Sequence, residues 1–188
     1  YDYTIGWTVD TRDWTGTLTA AEISETVVNT LAPGSIYLLH GNATAATTPE
    51  ALRQMIAAVR AEGYKFATIS NLLSLEGYYP EEPVVEIPVV NEVSKLVNRV
   101  NTNQQVVSLT ISGVSDDEQI DAILQNLGTL GVKATFFIDG STSQSALDNI
   151  VAAGHEVGNQ AYSGNLVTGM TAEQLAAEVA LTEGAVVN

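Results

Sequence analysis

The chain has 188 residues, with 22 acidic and 7 basic side chains and a formal net charge of -15 at pH 7. A surface of that sign repels phosphate backbones and disfavours nucleic-acid binding, leaving neutral or cationic partners such as amino sugars open. Hydrophobic content of 45% excludes wholesale disorder, no apolar run approaches membrane-spanning length, and the lack of cysteine removes disulfide and thiol chemistry. A cysteine-free chain is compatible with an exported bacterial protein. A start at Tyr1, with neither initiator Met nor signal peptide, is expected of a processed product or a fragment.

Residues 3–9 are aromatic and β-branched and predict a strand, ending at Asp10 and Asp13. Thr19-Ala20-Ala21-Glu22 is a capping box for a helix to Leu31, with Ile23, Val27, Val28 and Leu31 on its apolar face. Pro33-Gly34 turns the chain into a strand over 35–39, closed by His40. Thr48 as N-cap and Pro49 at the first helical position predict a helix with Leu52, Met55, Ile56 and Val59 inward and Gly63 as its stop. A short strand over 65–69 follows, and the order β-α-β-α-β points to an α/β fold with a parallel sheet.

The pattern then breaks. Pro80, Pro83 and Pro88 forbid a regular helix and predict an extended linker, and Tyr78-Tyr79 are expected to pack along it. Val93, Leu96, Val97 and Val100 predict a short helix over 91–101. A second β-α set follows: a strand over 106–111, a helix capped by Ser115, a strand over 132–138 with Phe136-Phe137 as core, a helix over 146–153 and a strand over 156–160. Thr171-Ala172-Glu173-Gln174 resembles a capping box for a last helix that fades near Gly184. Asp116, Asp117 and Glu118 are read as first-turn acids favoured by the helix dipole, and His155 as a structural or surface histidine.

With these residues in place, the chain resembles the polysaccharide deacetylase family (carbohydrate esterase family four), with the halves in C-then-N order. Trp7, Asp10, Asp13 and Trp14 match its Trp-x-x-Asp-x-x-Asp-Trp element, and Leu38 and His40 its Leu-x-His element. The run 131–138 and Gly154-His155-Glu156-Val157-Gly158-Asn159 resemble the family's N-terminal half. On this reading residues 1–75 form the C-terminal half of one domain, 76–104 a proline-rich linker, and 105–188 the N-terminal half of a second, degenerate domain. A circular permutation, with the two halves closing on one another, is the rival.

The resemblance implies an irregular parallel (β/α) barrel and metal-dependent hydrolysis of N-acetyl or O-acetyl groups on a polysaccharide. His40 is then the general acid, Asp13 the carboxylate that orients it, Trp14 the wall of the acetyl pocket and Leu38 its floor. Asp10 has a bland alternative as a turn residue. Where the family has Thr-Phe-Asp-Asp-Gly this chain has Thr110-Ile111-Ser112-Gly113-Val114, and Gln160 and Gly164 stand at its two metal-binding histidines. A divalent metal, zinc by expectation, therefore belongs to a completed first domain and not to this chain's own residues. A missing polypeptide half or a second copy is the implied partner, and the location is extracellular or cell-wall associated. A non-catalytic glycan-binding or scaffolding pseudoenzyme is the alternative.

Overall fold

The computed structural model of the chain describes residues 3–75, 95–164 and 169–186. Residues 76–94, the greater part of the expected linker with Tyr78 and Tyr79, lie outside the described residues, as do 91–94 of the expected helix.

The strand expected over 3–9 is two strands, β1 (Tyr3–Ile5) and β2 (Val9–Asp10), in different sheets. Gly6 still runs beside β5, its N–H donating to Val97 O at 2.8 Å, and the chain bends at Thr8. Helix α1 (Ala20–Asn29) opens with the capping box: Glu22 N donates to Thr19 Oγ1 at 3.2 Å and Thr19 N to Glu22 Oε2 at 2.8 Å. The bond from Thr19 N, joined by one from Thr19 Oγ1 at 2.8 Å, holds the Glu22 carboxyl below its usual pKa. Strand β3 (Ile36–His40) follows, then α2 (Thr48–Ala61), β4 (Lys65–Phe66) and the short α3 (Ile69–Leu73). Thr48 is already helical, and Thr47 at the N-cap makes no side-chain cap bond. The Thr48 hydroxyl has a different task, described below.

The second segment begins with β5 (Lys95–Val97), where a helix was expected. Its backbone pairs in parallel with β1, so the demand of that edge for a partner overrides the helical spacing of Val93, Leu96, Val97 and Val100. Then come β6 (Val106–Ser112), α4 (Asp117–Leu130), β7 (Thr135–Ile138), α5 (Gln144–Ala152), β8 (Glu156–Asn159) and α6 (Ala172–Val186). Asp116, not Ser115, caps α4, accepting from Gln119 N at 3.0 Å. Helix α6 runs past Gly184 after a Thr171–Gln174 capping box.

The main sheet runs β2-β3-β6-β7-β8, with β4 paired to the start of β6, and every one of these pairings is parallel. Strands β3 and β6 lie in register from Ile36↔Ser108 to His40↔Ser112, so the two sequence segments supply neighbouring strands. One core unites them on the helix-covered face: Ile23, Val27, Leu52 and Met55 from the first, Leu109, Ile111, Ile120 and Phe136 from the second. Residues of period two on β3 and β6 divide between that face and the opposite one, and both are buried, as in sheets covered on two sides. A smaller core on the opposite face joins Ile36, Ile69, Leu72, Val97 and Val100. This is a mixed α/β fold with parallel sheets; among the described residues no pairing joins β8 to β2, and a closed barrel is not present.

Candidate active site

Local turn chemistry brings Asp13 inward. Asp10 Oδ1 at the end of β2 accepts from Arg12 N at 2.9 Å, an Asx turn that carries Arg12 into the left-handed region at φ 58°. A 3-10 turn, Asp13–Thr15, follows and ends at Gly16 with φ 66°. Asp13 is thereby fully buried, with 0% exposure. Asp10 serves as the turn residue, with a longer contact from Trp14 Nε1 at 3.4 Å.

Four donors meet the Asp13 carboxylate. Trp14 N reaches Oδ1 at 2.9 Å and His40 Nδ1 the same oxygen at 2.8 Å. His40 N reaches Oδ2 at 2.8 Å and Thr48 Oγ1 donates to it at 2.6 Å. A buried carboxylate is tolerable when its oxygens are satisfied in this way. The bond from Nδ1 requires the proton on that nitrogen, which leaves Nε2 as the basic atom of a neutral ring. His40 keeps 16% of its side chain exposed, and Trp14 approaches it edge-on with ring centroids 6.4 Å apart. His40, Asp13 and Trp14 thus form one cluster.

Leu38 sits two residues before His40 on β3 and therefore on the same side. It lines an open cavity of about 1200 Å³ together with Trp7, Thr110, Ser112, Phe137 and Gln160. Phe136 is core as expected, but Phe137 turns the other way and faces this cavity. Glu156 also faces it, accepting from Thr135 Oγ1 at 2.6 Å and from Ser70 N at 3.2 Å, which ties β8 to the start of α3.

Two residues escaped sequence reasoning. Thr48 lies 35 positions from Asp13 and reads as a helix cap, so nothing in its local pattern points to a carboxylate partner. Ser112 reads only as a lost acid; its place beside His40 comes from strand register.

His155 is structural. It is 8% exposed, its Nδ1 accepts from Ala134 N at 3.1 Å and its ring meets Phe136 edge-on. Burial, with Lys133 nearby, lowers its pKa to about 4. Asp116, Asp117 and Glu118 occupy the start of α4, as helix-capping acids do.

Residues 99–188 match the family model for polysaccharide deacetylase. A polysaccharide deacetylase removes acetyl groups by hydrolysis, so hydrolase chemistry is what the match implies. The deacetylase match takes in β6 to α6, while Asp13, Trp14, Leu38 and His40 lie outside it. No curated protein and no solved structure matches the chain. The deacetylase family is generally metal-dependent, and the residues here do not fit a divalent cation. Ser112 and Gly113 end β6 without a carboxylate, and Gln160 and Gly164 bring no imidazole. Among the described residues no group of three or more His, Cys, Asp or Glu is placed to hold a metal.

Proposed function

We propose that the chain is a hydrolase that removes acetyl groups from a polysaccharide, with His40 moving the proton and Asp13 orienting it. The observation that carries this reading is the 2.8 Å bond between His40 Nδ1 and the buried Asp13 carboxylate, at the C-terminal ends of β2 and β3. That is the sheet edge where α/β folds collect catalytic groups. Trp14 shapes the acetyl pocket beside the imidazole, and Leu38 supplies its apolar floor. A protonated Nε2 gives its proton to the departing sugar oxygen or nitrogen, a contribution of about 10²–10⁴ in rate for well-placed acids.

Within this proposal the chain supplies the general-acid half of the site. A divalent metal such as zinc enters only with a polypeptide that brings its ligands, a missing half or a second copy, and no step above passes through it. Residues 1–75 and 105–188 correspond to the C-terminal and N-terminal halves of a deacetylase-type domain joined across 76–104; their in-register pairing through β3 and β6 supports the permuted arrangement, in which the halves close on one another, and sheet closure into the family's irregular barrel belongs to the same proposal. An extracellular or cell-wall location follows from the substrate.

The test is acetate release from acetylated chitooligosaccharide, xylan and peptidoglycan, comparing wild type with H40A. Release by the wild type and loss in H40A supports the reading; equal release by both removes His40 from the mechanism. The absent metal donors at Ser112, Gly113, Gln160 and Gly164 favour a second reading, a glycan-binding pseudoenzyme. It would be marked by binding to these polymers with no acetate released by either protein.

A further inference from the structure

We propose that Ser112 is a nucleophile, forming with His40 and Asp13 a hydroxyl–imidazole–carboxylate line that cleaves O-acetyl esters of a polysaccharide. The inference rests on the reading of His40 and Asp13 as a proton-handling pair and names the atom they serve. It follows from strand order. Strands β2, β3 and β6 are consecutive neighbours, and their C-terminal ends deliver Asp13, His40 and Ser112 in that sequence across the sheet edge. His40 and Ser112 are register partners in parallel strands. Adjacent strands lie about 4.8 Å apart, and in-register side chains share a face. Leu38 and Thr110, two residues earlier on each strand, line the cavity, as does Ser112 itself, and strand alternation places His40 on the same side as Leu38.

The hydrogen bonding leaves the right atoms available. His40 Nδ1 is committed to Asp13, on the β2 side of β3. The remaining ring nitrogen, Nε2, makes no hydrogen bond among the described residues, and neither does Ser112 Oγ. No bond joins them in this structure, and a hydroxyl needs only a χ1 rotation to seek an acceptor on the neighbouring strand. Gly113, next in sequence, has φ 61° and lies against Asn42, so the chain leaves β6 sharply and keeps Ser112 at the strand end. Gln160 Oε1, buried without a partner and on the same cavity wall, is an acceptor suited to a sugar hydroxyl.

The chemistry balances without a metal. Ser112 Oγ bonds to the acetyl carbonyl carbon while its proton passes to His40 Nε2. The carbon–oxygen bond to the sugar then breaks, and the departing alkoxide takes that proton. Water next attacks the acetyl-serine with His40 as base, releasing acetate and restoring the Ser112 hydroxyl.

A fluorophosphonate probe and p-nitrophenyl acetate in excess EDTA test this on the full chain. Wild type, S112A, H40A and the control S108A, each shown folded by circular dichroism, are labelled and mapped by mass spectrometry. The probe's mass on Ser112 in wild type and S108A is expected, with labelling and ester turnover slowed about hundred-fold or more in H40A and abolished in S112A. No adduct on Ser112 of the wild type overturns the proposal, whatever the fate of the variants. Wild-type turnover by S112A with loss in H40A dismisses the serine and keeps the His40–Asp13 pair; wild-type turnover by both dismisses the pair as well.

Discussion

Thr48 shows how one hydroxyl sets a site 35 positions away. It gives up the capping role its sequence position suggests and donates to Asp13 Oδ2, fixing the carboxylate that fixes His40. T48V is expected to cost about 2 kcal/mol of stability by deleting a hydrogen bond to a buried carboxylate. It should lower kcat for acetate release by about tenfold, because Asp13 gains freedom to swing and the imidazole with it. Urea unfolding and steady-state kinetics read the two effects, and an unchanged kcat would deny Thr48 its positioning role. His155 makes a second residue-scale prediction. Unfolded, it takes a proton near pH 6.5; folded, only near 4. The unfolded state therefore binds the extra proton between these values, so stability falls as pH drops through that window, by on the order of 2 kcal/mol after solvent screening. H155Q cannot titrate, so its stability relative to wild type should improve from pH 7 to pH 4.5 in urea titrations. A constant difference would contradict the assignment. Of these residues, Asp13, His40 and Trp14 are marked in the sequence by their resemblance to the family's Trp-x-x-Asp-x-x-Asp-Trp and Leu-x-His elements, while Thr48 and Ser112 gain their partners only from the tertiary arrangement.

At the level of elements, helices α1, α2, α4 and α5 are legible because apolar periodicity agrees with the packing that follows, and in α1 the capping box agrees as well. Element β5 is where they part. Its apolar residues have helical spacing, yet the backbone of β1 offers unpaired groups that only an extended chain satisfies. The single strand expected over 3–9 fails for a related reason: β1 is claimed by β5 and β2 by β3, and a bend at Thr8 carries the chain from one sheet to the other. Gly34 holds the corresponding joint between segments. It has φ 76°, its N–H donates to Val106 O at 2.8 Å, its carbonyl accepts from Val100 N at 2.9 Å, and a Cβ would meet Val100 O at 1.9 Å. G34A combines left-handed strain with a backbone clash and should cost more than about 3 kcal/mol. A thermal midpoint equal to wild type would show that the joint relaxes freely.

Across the whole molecule, what the sequence could not reveal is strand order. Local patterns predict β3 and β6 separately, but their pairing joins residues 72 positions apart in sequence, Ile36 and Ser108 among them. That pairing makes the two segments share one core, so unfolding should be a single transition. Trp7 and Trp14 both lie in the first segment and report on it by fluorescence, while far-UV circular dichroism reports on both. Coincident denaturation curves are expected, and L109A, which removes a fully buried side chain of β6, should shift both together by about 2–5 kcal/mol. Curves that separate would mean that the segments fold independently. The same pairing gathers Asp13, His40 and Ser112 at one edge, and the function proposed for the chain depends on it. The most direct measurement is therefore acetate released from an acetylated polysaccharide by wild type and by folded H40A. A loss of about hundred-fold or more in H40A is the expected result; equal release by the two proteins would contradict the assignment of His40 as the group that moves the proton.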